Sequence, residues 1–290
     1  MRRVWWAGVV AVLAILVAAP VGAARQQVVP DDPGLFGEWF VTATSADVFR
    51  EAEAVIRALG VKVERRDPAK GVLVTRDARW GPAWPPGEAL LLPVRQQPQS
   101  ATIHVYVAPG WTPVRLAVGA ILSTATTFTP LAGGKARGES ILYGQRPLAA
   151  AIAARIAERT GAILVPIPAD ADARSRAASR LGDRRAAACG TAALVAADDP
   201  DHLPGLVSRV KPVYPLQELA RGRAGVLLVR GEVTEHGTLT GLRWAQGVED
   251  DNLVAATFGA AGLWRFTPPV IGDCPARRTI TIEMTYTIRQ

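Results

Sequence analysis

The side chains of this chain that could do chemistry are three histidines, two cysteines and three pairs of adjacent carboxylates. Their spacing does not gather them into a reactive set. His104 falls on the polar side of an alternating segment, His202 in a segment poor in large apolar residues, and His236 in a turn-like tetrapeptide. None has a second ligand at metal-binding spacing, so each reads as a structurally neutral surface histidine. There is no Gly-x-Ser-x-Gly, Ser-x-x-Lys or His-Glu-x-x-His motif, and the glycines of Ala132-Gly-Gly-Lys135 lack phosphate-loop spacing. Asp31-Asp32, Asp198-Asp199 and Asp250-Asp251 are neighbours in sequence, which does not make them an acid–base pair. The last pair suits the positive end of a helix. Cys189 with a distant histidine carries no hydrolase signature. These patterns point away from an enzyme and predict no catalytic residue, no metal site and no cofactor.

Composition narrows the class further. The chain has 290 residues, 49% of them hydrophobic and 20% charged, which suits about two globular domains. The net charge is +7, and removing Arg2 and Arg3 with a leader would leave 7 − 2 = +5. The basic residues are scattered, with no run interleaved with aromatics, so nucleic acid is not an expected partner.

Met1-Arg-Arg, an uncharged apolar run Val4 to Ala19, and Pro20-Val-Gly-Ala23 form a secretory leader, with Val21 and Ala23 marking a cut before Ala24. The alternative is a retained inner-membrane anchor over residues 4–24, long enough to span, with Trp5-Trp6 at the interface. Either way the chain is expected in the periplasm or facing it. No cysteine follows the leader, which argues against a lipoprotein. In an oxidising compartment Cys189 and Cys274 are expected to pair, stapling the linker to the last domain; the alternative is two free thiols.

The body reads as α+β. After a tether over 25–34, Trp39 to Thr44 alternates, Ser45-Ala-Asp47 offers a helix start, and Val48, Ala52, Val55, Ile56 and Leu59 recur at helical spacing before Gly60. Val61 to Arg65 and Val72 to Thr75 form a hairpin around Asp67-Pro-Ala-Lys-Gly71. Trp80 to Pro98 reads as a packed loop, or as part of an aromatic groove formed by Trp80, Trp84 and Trp111. Strands are expected over Ala101 to Ala108, Pro113 to Ala125 and Ile141 to Tyr143, a loop over Pro130 to Glu139, and a helix over Pro147 to Thr160. The predicted divisions are an α+β sheet domain with two helices at 35–168, a linker at 169–204 with one short helix from Ala171 to Leu181, and a small domain at 205–290.

That last segment has the clearest pattern. Val210-Lys-Pro-Val-Tyr214-Pro215 is followed by a short helix or turn, an apolar strand Gly225 to Val233, and a turn Thr234-Glu-His-Gly237. Then come a return strand Thr238 to Gln246, a helix with Leu253, Ala256, Thr257, Ala260 and Leu263 on its buried face, Leu263-Trp-Arg-Phe-Thr-Pro268, and a half-buried strand Thr279 to Ile288. The order of Tyr-Pro, strand–Gly turn–strand, helix, Trp-Arg-Phe-x-Pro and final strand resembles the C-terminal domain of the TonB family of periplasmic energy transducers. It departs from that family in lacking a Pro-rich spacer and in carrying Cys274.

The resemblance implies antiparallel strands plus one helix, with an exposed strand edge that receives a segment of an outer-membrane transporter. On that basis Tyr214, Pro215, Thr281, Glu283, Thr285, Thr287 and Arg289 are the expected partner-binding residues, the partner being an envelope protein. Closure of the last strand in a homodimer is an alternative. A second reading places function in a ligand-binding N-terminal domain, with the TonB-like domain serving docking or dimerisation.

Overall fold

The computed structural model describes residues 37–79, 98–128, 136–144, 146–168, 170–189, 193–195 and 204–288. The leader, Trp80, Trp84, the Ala132–Lys135 loop, His202 and Arg289 lie outside the described residues. None of the described helices is long and apolar enough to cross a membrane.

The chain begins with β1 (Gly37–Val41), α1 (Ser45–Ala58), β2 (Val63–Asp67), β3 (Val72–Thr75), β4 (Ala78–Arg79), β5 (Pro98–Val107), β6 (Val114–Phe128), β7 (Ala136–Gly144), α2 (Arg146–Thr160) and β8 (Leu164–Pro166). The strands form one antiparallel sheet in the order β2-β3-β5-β6-β1-β8, with β4 on β5 and β7 on β6. α1 starts where Thr44 Oγ1 accepts the Asp47 N–H, one residue before the expected cap. Its 3.6-residue stripe of Val48, Ala52, Val55 and Ile56 is buried with Leu148, Ile152 and Ile156 of α2 against Ile103, Val105, Leu116 and Val118 of β5 and β6.

The opposite face of this sheet is the first departure from the sequence reading. Alternation along β5 assigns Ile103, Val105 and Val107 to a core and His104 and Tyr106 to solvent. In the structure Tyr106 is 4% exposed, and it shares a core with Val72, Ala108, Trp111 and Ala117. The same core contains Leu227, Val229, Leu253, Phe258, Leu263, Trp264 and Met284 from the C-terminal segment. The central sheet is therefore covered on both faces, by helices on one and by the C-terminal module on the other.

Between the modules run α3 (Ala171–Arg180), α4 (Arg184–Cys189) and β9 (Ala193–Val195). α3 is capped by Asp170, whose Oδ1 accepts the Ala173 N–H at 2.7 Å, and Ala178 packs on Phe40 of β1. Cys189 and Cys274 are joined in a disulfide.

The C-terminal module comprises β10 (Leu206–Ser208), α5 (Leu216–Ala220), β11 (Gly225–Val233), β12 (Leu239–Gly247), α6 (Asp251–Gly262), β13 (Arg265–Phe266), β14 (Val270–Ile271) and β15 (Cys274–Tyr286). Its main sheet runs β12-β11-β15-β14, with β9 also on β15. Asp250 caps α6, its Oδ1 accepting the N–H groups of Asn252 and Leu253. The sequence reading gives α6 a single buried face. Instead every residue from Leu253 to Gly262 except Ala255 is buried, because the helix lies against β12 on one side and β7 on the other. Trp264, 6% exposed, donates its Nε1–H to the Val210 carbonyl at 2.8 Å, pinning the entry segment to the helix exit.

Candidate functional site

β15 is the longest strand of the C-terminal sheet, and its two sides differ. On one side it pairs with β11 in an unbroken antiparallel register, from Arg278↔Val233 to Tyr286↔Gly225. Beyond the start of that ladder β14 pairs with Cys274 and Pro275, and on the other side β9 covers Ala276 to Arg278 in parallel. Among the described residues no strand pairs with Thr279 to Tyr286 on that side.

The backbone groups that this edge presents follow from the ladder. In an antiparallel strand successive residues turn their N–H and C=O alternately to either neighbour. The Val226 carbonyl accepts the Val248 N–H at 3.0 Å, and the Thr234 N–H donates to Thr238 at 2.8 Å, so the even-numbered residues of β11 face β12. The odd-numbered ones face β15, where Leu227, Val229 and Gly231 meet Met284, Ile282 and Ile280. Thr279, Thr281, Glu283 and Thr285 therefore turn their backbone donors and acceptors outward. The side chains of Thr281, Glu283 and Thr285 are exposed, whereas Ile282, Met284 and Tyr286 are buried.

The far end of the edge is apolar. Tyr286 is held by its hydroxyl, which meets Thr257 Oγ1 at 2.9 Å and donates to the Leu253 carbonyl at 3.2 Å. The Tyr214 ring stands edge-on to Tyr286 at 5.1 Å, and its hydroxyl donates to the Arg223 carbonyl. Pro215 is the N-cap residue of α5. Around this corner Val213, Leu216, Leu219, Val226 and Ile288 remain exposed. Sequence reasoning placed Tyr214, Pro215, Thr281, Glu283, Thr285, Thr287 and Arg289 in one set, of which Arg289 lies outside the described residues. The structure puts Thr281, Glu283 and Thr285 along the edge and Tyr214 and Pro215 at its end, with Thr287 exposed just beyond β15.

A second concentration of polar groups went unread in the sequence. The Thr234–Gly237 turn is buried against the N-terminal sheet. Gly237, at φ +77°, supplies the left-handed conformation, and a Cβ there would lie 2.1 Å from the Phe266 carbonyl oxygen. His236, expected at the surface, is 4% exposed and edge-on to Phe40, with ring centroids 5.9 Å apart. Arg174 of α3 donates to Glu235 at 2.7 Å, and Arg115 of β6 donates to the Glu235 carbonyl at 2.8 Å while lying over Trp111 at 3.5 Å. Asp183 faces Arg115 at 3.5 Å. Trp111 is thus a buried platform for Arg115 and does not line an open aromatic groove.

Burial and then the Arg115 charge push the His236 imidazole well below its usual range. Burial alone would raise the Glu235 carboxyl, but the adjacent His236 and the Arg174 guanidinium outweigh it and hold its pKa at about 2. His104 is lowered to about 4 by burial and by Arg265. Burial pushes Glu38 upward. These groups join β1, β6, α3 and the β11–β12 turn into one charged seam. Among the described residues no set of three His, Cys, Asp or Glu side chains could hold a metal.

Residues 210–288 match the family model described as Gram-negative bacterial TonB protein C-terminal. Among solved structures, the solution NMR structure of the Pseudomonas aeruginosa TonB CTD aligns with 33% of this chain and 95% of that one. The alignment has 24% sequence identity and a TM-score of 0.28. No curated protein matches the chain. The segment from Val210 to Ile288 is thus a TonB-like C-terminal module, and β9 with Cys189 lies upstream of it.

Proposed function

We propose that this is a protein-binding component of the Gram-negative cell envelope whose TonB-like module takes up an extended segment of a partner by strand addition at β15. The observation that carries the reading is the run Thr279, Thr281, Glu283 and Thr285, whose backbone groups face away from β11 with no strand beside them among the described residues. An unpaired edge of this length is a template for another strand, with main-chain hydrogen bonds giving affinity and alternate side chains giving specificity. The exposed apolar corner at Tyr214, Leu216 and Ile288 would receive an apolar residue of the incoming segment. The match to the TonB C-terminal family supports an envelope partner, with a segment of an outer-membrane transporter as the candidate. The leader supports export to the periplasm, and a retained anchor would hold the protein at the inner membrane.

The reading is tested by placing a photo-crosslinking side chain at Thr281 or Thr285 and, as control, at Arg243 of β12, in the native host. Strand addition at β15 predicts one shared adduct from Thr281 and Thr285 and none from Arg243. Equal crosslinking from Arg243 would contradict it.

A further inference from the structure

β9 pairs with β15 in parallel, Leu194 opposite Arg277, on the side of the strand to which Thr279, Thr281, Glu283 and Thr285 turn their backbones. Arg277 is the preceding member of that outward-facing set, so β9 occupies the same edge on which the proposed function rests. Resting on that reading, we infer that β9 is an internal occupant of the partner-binding edge, kept there by the Cys189–Cys274 bridge. A partner strand is confined to the run from Thr279 onward unless it displaces β9.

Three observations carry this. β9 has only three residues. The few backbone hydrogen bonds of so short a strand barely offset the conformational entropy lost in ordering it. The pairing therefore depends on a tether. The tether is covalent: Cys189 ends α4 a few residues before β9, and Cys274 opens β15 just before the residues that β9 covers. This places the two strand starts side by side at high effective concentration. Finally, β9 and Cys189 lie outside the segment that matches the TonB family, so the occupant is supplied by this chain's own linker. A backbone group already bonded to β9 cannot bond a second strand, and occupation follows from that alone.

The probe is a synthetic peptide of residues 191–197, blocked at both ends. It is titrated to millimolar concentration against two forms of the mature chain, with amide chemical shifts of Arg277 and Thr279 as the readout. One form is wild type. The other carries Cys189→Ser, Cys274→Ser and Val195→Pro, where proline removes a donor beside Leu194. The inference predicts that the variant binds the peptide at Arg277 at least about tenfold more tightly than wild type. Equal binding by both forms at Thr279 to Thr285 would overturn the inference and leave the edge reading standing. Binding by neither would overturn it too, and the crosslinking experiment would then judge the edge separately. If the triple variant does not fold, the Cys189→Ser, Cys274→Ser pair alone should accelerate hydrogen exchange at Arg277 without changing Thr281. No acceleration would overturn the inference.

Discussion

Arg174 on α3 donates from Nε to Glu235 Oε1 at 2.7 Å, with both side chains 8% exposed. One residue comes from α3 and the other from the tip of a hairpin in the TonB-like module. Their bond fastens that hairpin to α3, which packs on β1 through Ala178 and Phe40. A buried pair is weak evidence of net stability, but losing one partner strands a buried charge at a cost of about 3–5 kcal/mol. Arg174→Ala and Glu235→Ala should each destabilise by about that much in denaturant unfolding, and the double variant should cost less than the sum of the two. Additive losses would show that the pair is not coupled.

Stability should fall as the medium is acidified below pH 6.5. His104 is held at about 4 in the folded chain, whereas an unfolded chain takes up the proton near 6.5. The contribution of the neutral imidazole is present above pH 6.5 and is lost as the pH drops towards 4, by about 3 kcal/mol in total. His236 acts in the same direction. Glu38, whose carboxyl is raised, opposes both, because its contribution is lost as pH rises through its folded value. Chemical denaturation at pH 7 and pH 5 checks this, and His104→Gln should flatten the dependence.

The disulfide closes a loop between residues 85 apart in sequence. In the chain-entropy account its removal costs about 4–5 kcal/mol. Cys189→Ser with Cys274→Ser should lower the unfolding midpoint accordingly. An unchanged midpoint would mean that the seam alone holds the linker in place.

Phe258 of α6 is 3% exposed in the core shared by the two sheets. Phe258→Ala should cost about 3–5 kcal/mol. Because the core is shared, thermal unfolding should remain a single transition. Two resolved transitions would show that the modules unfold independently.

What the sequence made readable was local. Alternation along β15 separated Thr281, Glu283 and Thr285 from Ile282, Met284 and Tyr286, because a half-buried strand writes its period of two directly into residue type. The stripe of α1 was readable for the same reason. The seam was not, since Glu235 and His236 are ordinary turn residues whose burial is decided by Phe40, Arg115 and Arg174 far away in the chain. A signal existed at Arg115, a charge inside the apolar run Val114 to Val118. The second buried side of α6 was also foreseeable, because Ala256, Phe258, Ala260 and Ala261 leave it no polar face. β9 was not: Ala193 to Val195 is too short to carry a period, and only Cys274 on β15 shows where it lies.

The central claim is that the outward backbone of β15 binds a partner strand. It is tested most directly by proline substitution against the partner recovered by crosslinking. Thr281→Pro and Thr285→Pro delete N–H groups that face away from β11, whereas Ile282→Pro deletes one that bonds to it. The account predicts that the first two keep a folded chain, judged by near-UV circular dichroism, and lose partner affinity at least about tenfold, equivalent to 1.4 kcal/mol. It also predicts that Ile282→Pro loses the fold. Undiminished affinity in folded Thr281→Pro and Thr285→Pro would contradict it.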